Sequence, residues 1–226
     1  MPADNALLEI ACFSPDHALL AHKAGADRLE LCKDRNAGGI SPSLEWLQKV
    51  KAEFTIPVFV MVRPRGGDFN YTADEFEQMR MSLEAFDPYA DGYVFGVLDV
   101  YRRVDMKRTA ELVRLARGKP CTFHRACDET PNLFEALEDV VKAGCKAILT
   151  SGGAPTAQAG SEAIRQLVQL ARGRVEIIVG GGVRSHNLGL LRKDTQARVF
   201  HSAAIEAGME MPTEQEVALL KRAVQG

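Results

Sequence analysis

Eight short apolar runs, each followed by an amphipathic stretch, recur along the whole chain, and this alternation constrains the fold more than any single motif. The runs are Leu7 to Cys12, Arg28 to Cys32, Val58 to Val62, Tyr93 to Leu98, Cys121 to His124, Ala147 to Thr150, Val175 to Val179 and Arg198 to His201. Helical patterns fall between them, at 14–24, 42–53, 72–87, 105–117, 131–143, 159–172, 185–193 and 213–224. Ser14-Pro15 and Ser41-Pro42 place a capping hydroxyl before a first-turn proline, and Thr72 with Glu75 has the capping-box spacing. Gly25 and Gly144 stand where a helix must end before the next strand. A βα repeat of this number closes into an eight-stranded α/β barrel, whereas an open doubly wound sheet has fewer strands and one switch point. The chain has 226 residues, 46% of them hydrophobic, so the expectation is a single-domain TIM (β/α)8 barrel over residues 1–226.

Barrel enzymes and binders collect their chemistry where strands end and βα loops begin. Those exits carry Glu9 and Cys12, Glu30 and Cys32, Arg63 and Arg65, Asp99, His124 with Arg125 and Asp128, Thr150 to Gly152, Gly180 to Gly182, and His201 with Ser202. The most pointed exit is Arg63-Pro64-Arg65-Gly66-Gly67-Asp68, where proline keeps Arg63 extended and the glycines let the chain turn. Glu9 and Glu30 each sit between aliphatic residues, so alternation sends both carboxylates into the barrel when the aliphatic side meets the helices. Two buried carboxylates need a cation, a shared proton or a metal, and Arg63 is the expected cation. Such a cluster serves either structure or catalysis. On the second reading Glu30, Asp99 and His124 are the acid–base candidates.

An anion site is expected from Arg63, Arg65, Ser151, Gly152, Gly181 and Gly182, because the sixth- and seventh-strand loops of barrels offer bare backbone N–H groups. Glycine there also serves simply to turn the chain. No lysine occupies a strand exit, which argues against Schiff-base chemistry. The five cysteines have no framework spacing and read as reduced thiols of a cytoplasmic protein. Cys12 and Cys32 end adjacent strands and form a soft donor pair for Cu(I), although Cys12 lies three residues beyond Glu9 and should face the helices unless the strand has ended. The alternative is that both are small buried hydrophobes. A formal net charge of -2 gives no general attraction to nucleic acid or anionic lipid. Met1 to Asn5 shows no basic run before an apolar stretch, and no run is long enough for a membrane span, so neither nucleic acid nor membrane is expected as a partner.

Leu8-Glu9-Ile10-Ala11-Cys12, Gly25 to Cys32, Gly38 to Ser43, Arg63 to Phe69, Thr122 to Ala126, Leu149 to Gly153 and Gly180 to Val183 together resemble the CutC copper-homeostasis family. The resemblance implies a TIM barrel, a cytoplasmic location, a homodimer, a role in copper handling and Cu(I) binding at the positions of Cys12 and Cys32. The chain departs from the family pattern at Cys127, where an aromatic residue is usual, so the fifth loop should pack differently or carry an additional thiol. Three functions follow as expectations: Cu(I) binding through cysteine thiolates, acid–base catalysis on a small phosphorylated or carboxylated substrate, or a non-catalytic oligomeric scaffold.

Overall fold

Val58-Phe59-Val60-Met61 is apolar at every position because a strand in a parallel barrel is covered twice, by helices outside and by the opposite strands within. The computed structural model describes residues 6–226, and the reading made on Met1 to Asn5 lies outside the described residues. The strands are β1 (Leu7–Cys12), β2 (Arg28–Leu31), β3 (Val58–Met61), β4 (Gly92–Phe95), β5 (Cys121–Phe123), β6 (Ala147–Thr150), β7 (Glu176–Val179) and β8 (Val199–Ser202). The helices that follow them are α1 (Pro15–Lys23), α2 (Leu44–Glu53), α3 (Ala73–Phe86), α4 (Met106–Leu115), α5 (Leu133–Ala143), α6 (Ser161–Ala171), α7 (Ser185–Thr195) and α8 (Glu214–Gln225). All strand pairs are parallel, and β1 pairs with β8 to close the barrel.

Several starts and stops follow the expected chemistry. Ser14 Oγ accepts from the His17 amide, Thr72 and Glu75 form the reciprocal capping box, and Gly144 ends α5 at φ 94°. The cap of α2 falls on Ser43, not on Ser41, which instead exchanges hydrogen bonds with the Arg63 backbone and fastens the β2–α2 loop to the end of β3. Strand β4 stops at Phe95, three residues earlier than its apolar run suggests. Its continuation turns outward, so that Leu98 forms an antiparallel bridge with Val104. The sequence pattern also omits a short 3-10 helix at Arg125–Glu129, which His124 caps through its own ring.

Leu8, Ile10, Leu29, Leu31, Val58 and Val60 face the helices in the main core, while two smaller apolar groups fill the barrel itself. One comprises Cys32, Phe59, Met61 and Val94; the other comprises Ala147, Leu149, Ile178 and Val199. Space inside is limiting at Gly92, where a Cβ would come within 2.7 Å of the Phe59 ring. Between the two apolar groups lies a polar wedge built on β8, β1 and β2.

Candidate functional site

The wedge follows from strand register. Glu9 lies opposite Arg28 on one side and His201 on the other, and Glu30 is two residues above Arg28 on the same face. Glu9 Oε2 accepts from Arg28 Nε at 2.5 Å, and Glu9 Oε1 lies 2.7 Å from His201 Nδ1. The other ring nitrogen, Nε2, is 3.6 Å from Glu30 Oε2, so His201 bridges the two carboxylates. Arg28 also stacks 4.4 Å from the Phe59 ring centroid. Arg63 was the expected counter-ion, but Arg28 takes that role. Arg63 instead donates to the carbonyls of Ala37, Gly39 and Gly67, clamping two βα loops, and its guanidinium covers the Phe69 ring.

The two glutamates are driven apart electrostatically. Burial raises the Glu9 carboxyl, yet Arg28 and His201 outweigh burial and hold it at about 2. Glu30 lacks an arginine partner: burial pushes it up to about 7, with His201 opposing the rise and the Glu9 charge adding to it. Burial alone would lower His201, but Glu30 and Glu9 raise it above its ordinary value. Glu9 is therefore a fixed anion, while Glu30 exchanges its proton near neutrality. Glu30 Oε1 and Arg28 Nη2 are buried without a partner.

Above the wedge opens a cavity of about 250 Å³ at the C-terminal end of the barrel. Glu30, Cys32, Arg63, His124, His201, Gly181 and Gly182 line it, together with Met61, Phe69, Arg125 and Arg184. His124 accepts from the Ala126 amide through Nδ1, leaving Nε2 buried and unpartnered. Burial and the Arg63 charge hold its conjugate acid down at about 3, so the ring is neutral with its proton on Nε2.

Other expected site residues stand elsewhere. Asp99 ties its own loop by accepting from the amides of Tyr101 and Arg103, because β4 ends early and carries Asp99 away from the mouth. Arg65 turns outward to Glu75 and Asp68 and to the Asn70 carbonyl. Ser151 and Gly152 belong to a closed network around Asp128: Asp128 accepts from Thr150 Oγ1, the Ser151 amide and hydroxyl, the Gly153 amide and Arg125 Nε. Of the expected anion residues, Arg63, Gly181 and Gly182 reach the cavity, and Arg125 and Arg184 join them. Arg28 was missed although its signal was present: Arg28, Glu30 and Cys32 alternate on one strand face. Arg125 and Arg184 carry no comparable pattern.

The cysteine pair divides between layers. Cys12 packs in the helix-facing core and Cys32 inside the barrel. Each thiol is directed to a backbone carbonyl, Cys12 to Ile10 and Cys32 to Cys12. Burial first, then the neighbouring carboxylates, push both thiols well above the ordinary range, opposing the thiolates that Cu(I) would require. Among the described residues, no cluster of three or more histidine, cysteine or carboxylate side chains is arranged for a metal. Cys127 is buried against the Leu149 carbonyl and adds no thiol to the cavity.

A sequence profile of the CutC family matches residues 6–206. The human protein named copper homeostasis protein cutC homolog is 39% identical over 203 residues, covering 89% of this chain and 74% of its own length. Its mouse counterpart is 41% identical over 199 residues, covering 88% and 73%. A crystallised CutC from Streptococcus agalactiae superposes with a TM-score of 0.83 at 29% identity, covering 88% of this chain and 98% of that one. With the barrel closed, the profile running through all eight strands and these relatives matching most of the chain, the protein belongs to the CutC family, whose human and mouse members are named for copper homeostasis.

Proposed function

We propose that this chain serves copper homeostasis through the cavity at the barrel mouth, acting by acid–base catalysis on a small phosphorylated or carboxylated compound. The observation that carries this reading is the split between two buried glutamates on one histidine, which leaves Glu30 exchanging a proton near pH 7 with an unpartnered oxygen in the cavity lining. Arg125 and the Gly181-Gly182 backbone supply the positive side of the same cavity. An anion bound there favours the protonated carboxyl, so binding should take up protons. Calorimetry of 3-phosphoglycerate and inorganic phosphate in two buffers of different ionisation enthalpy tests this. Wild type should take up more protons near pH 7 than Glu30→Gln, the protons exchanged by the phosphate group itself being common to both. Equal proton counts in the two would refute the assignment.

Direct Cu(I) binding is a second reading, supported by Cys32, whose sulfur shares the cavity lining with the Met61 thioether. Cys12 joins as second ligand only if its thiol leaves the helix-facing core. Anaerobic Cu(I) competition titrations of wild type, Cys12→Ser, Cys32→Ser and the double variant separate the two readings. Tight binding lost with Cys32 supports copper as cargo, and unchanged affinity in the double variant rejects a thiolate site. We place the protein in the cytoplasm as a homodimer. All five cysteines are free and buried, which suits a reducing compartment, and exposed Val100 and Tyr101 in the loop after β4 offer an apolar surface to a second copy. No helix among the described residues is long and apolar enough to cross a membrane.

A further inference from the structure

Three residues of the cavity lining carry a buried, unpartnered side-chain atom: Arg63 Nε, whose other nitrogens are spent on loop carbonyls, and two groups of opposite kind on strands three apart in the barrel order. Glu30 Oε1 is an acceptor carried by β2, and His124 Nε2–H is a donor at the end of β5. Buried groups of this sort are normally satisfied, and leaving each unpaired is costly unless a ligand completes it. A molecule that completes both must give a hydrogen to Glu30 and present an acceptor to His124.

The imidazole is held to one orientation. Gly96 leaves room for it, since a Cβ there would stand 2.6 Å from Nδ1, and the Phe69 ring packs on it at a centroid distance of 4.9 Å. A ring held neutral offers a hydrogen bond without surrendering its proton, which suits an oxygen on which negative charge develops. At a third point, the amides of Gly181 and Gly182 have no acceptor among the described residues, and Arg125 Cζ lies 3.5 Å from where a Gly181 side chain would begin. Gly181 tolerates no such side chain, because its Cβ would also meet Ser151 at 2.8 Å and its φ is +100°.

Building on the small-anion reading above, we propose that the cavity removes a proton from carbon next to the carbonyl of a small anionic carbonyl compound. Glu30 acts as base, His124 holds the carbonyl oxygen, and Arg125 with the Gly181-Gly182 amides holds the anionic group. Glu30 Oε1 takes the proton; the C–H electron pair becomes the carbon–carbon π bond, and the carbonyl π pair moves to the oxygen facing His124 Nε2–H. The proton then returns to the same or the adjoining carbon, so the step consumes no oxidant or co-reactant.

Proton NMR in D2O tests this with dihydroxyacetone phosphate, glyceraldehyde 3-phosphate, pyruvate and 2-oxobutyrate as probes, alongside calorimetric binding of each. At least one probe should exchange its α-hydrogen for deuterium faster than in buffer. Glu30→Gln should slow that exchange by about a hundredfold or more while the probe still binds. His124→Asn should lower the exchange rate more than the affinity. Because His124→Asn also disturbs the loop cap, 15N NMR of the wild-type ring provides an independent check: Nε2 protonated and Nδ1 bare throughout pH 5 to 8 is expected, and a charged ring in that range overturns the proposal. Binding without exchange for every probe overturns it and leaves the small-anion reading standing. Absence of binding by all four removes both.

Discussion

Glu30 on β2 and Asp128 in the loop after β5 are both carboxylates withdrawn from solvent at the same end of the barrel, yet they are opposites in hydrogen bonding. Asp128 is saturated by two hydroxyls, two amides and the Arg125 guanidinium, and it stitches the fifth loop to the sixth. Glu30 has one distant partner in His201, and its other oxygen is unmet. Saturation identifies a carboxylate used to hold the fold, whereas an unmet oxygen beside a cavity identifies one kept for a ligand. The expected Ser151-Gly152 donors are engaged for the same reason: the Ser151 amide and hydroxyl donate to Asp128, and the Gly152 amide donates to Thr150 Oγ1.

The contrast breaks most readily at Asp128. Asp128→Ala strands the Thr150 hydroxyl and the Ser151 and Gly153 amides, and should lower stability in urea unfolding by roughly 3 kcal/mol. A loss below about 1 kcal/mol would mean that the network is ornamental.

Within the wedge, Glu9 is the structural member. Its carboxyl is depressed from 4.5 to about 2, so its ionic contribution is present above pH 4.5 and is lost as pH falls through 2. Glu9→Gln should therefore destabilise by about 3 kcal/mol at pH 7, with the gap to wild type closing between pH 4.5 and 2. A gap independent of pH would contradict the paired-anion role.

Glu30 has the opposite sign. Its carboxyl is raised from 4.5 to about 7, so folding favours the protonated form: full stability below pH 4.5 declines as pH rises, and the penalty is complete once pH passes 7. Glu30→Gln should raise stability at pH 8 by about 3 kcal/mol and leave it nearly unchanged at pH 4. A variant less stable than wild type at pH 8 would show that Glu30, like Asp128, holds the fold.

The smallest effect is expected at Arg65, whose side chain is 36% exposed and whose partners lie on the surface. Arg65→Ala should cost less than about 1 kcal/mol and leave phosphate binding intact. Arg125→Ala should weaken that binding. The reverse result would restore Arg65 to the anion site.

These outcomes also mark what sequence can reveal. The barrel is legible because double burial makes each strand apolar and the helix signals sit at fixed offsets from it. Glu9 and Glu30 are legible by alternation, and the same rule reaches Arg28 once its strand is followed to its first residue. The fates of Arg63 and Arg65 are not legible: Gly66 and Gly67 bring the loop back so that Arg63 meets carbonyls from two loops and Arg65 meets α3. Asp99 misleads because Leu98 completes an apolar run but pairs antiparallel with Val104 outside the barrel. Whether a carboxylate is saturated depends on several loops meeting, as at Asp128, and no local pattern records that.

The most direct test of the contrast is a 13C NMR titration of the Glu30 side-chain carboxyl in the folded wild-type protein, assigned by comparison with Glu30→Gln. An inflection at about 7, moving upward when phosphate is added, is the result this account predicts. An inflection at the ordinary value of 4.5, indifferent to phosphate, would contradict it.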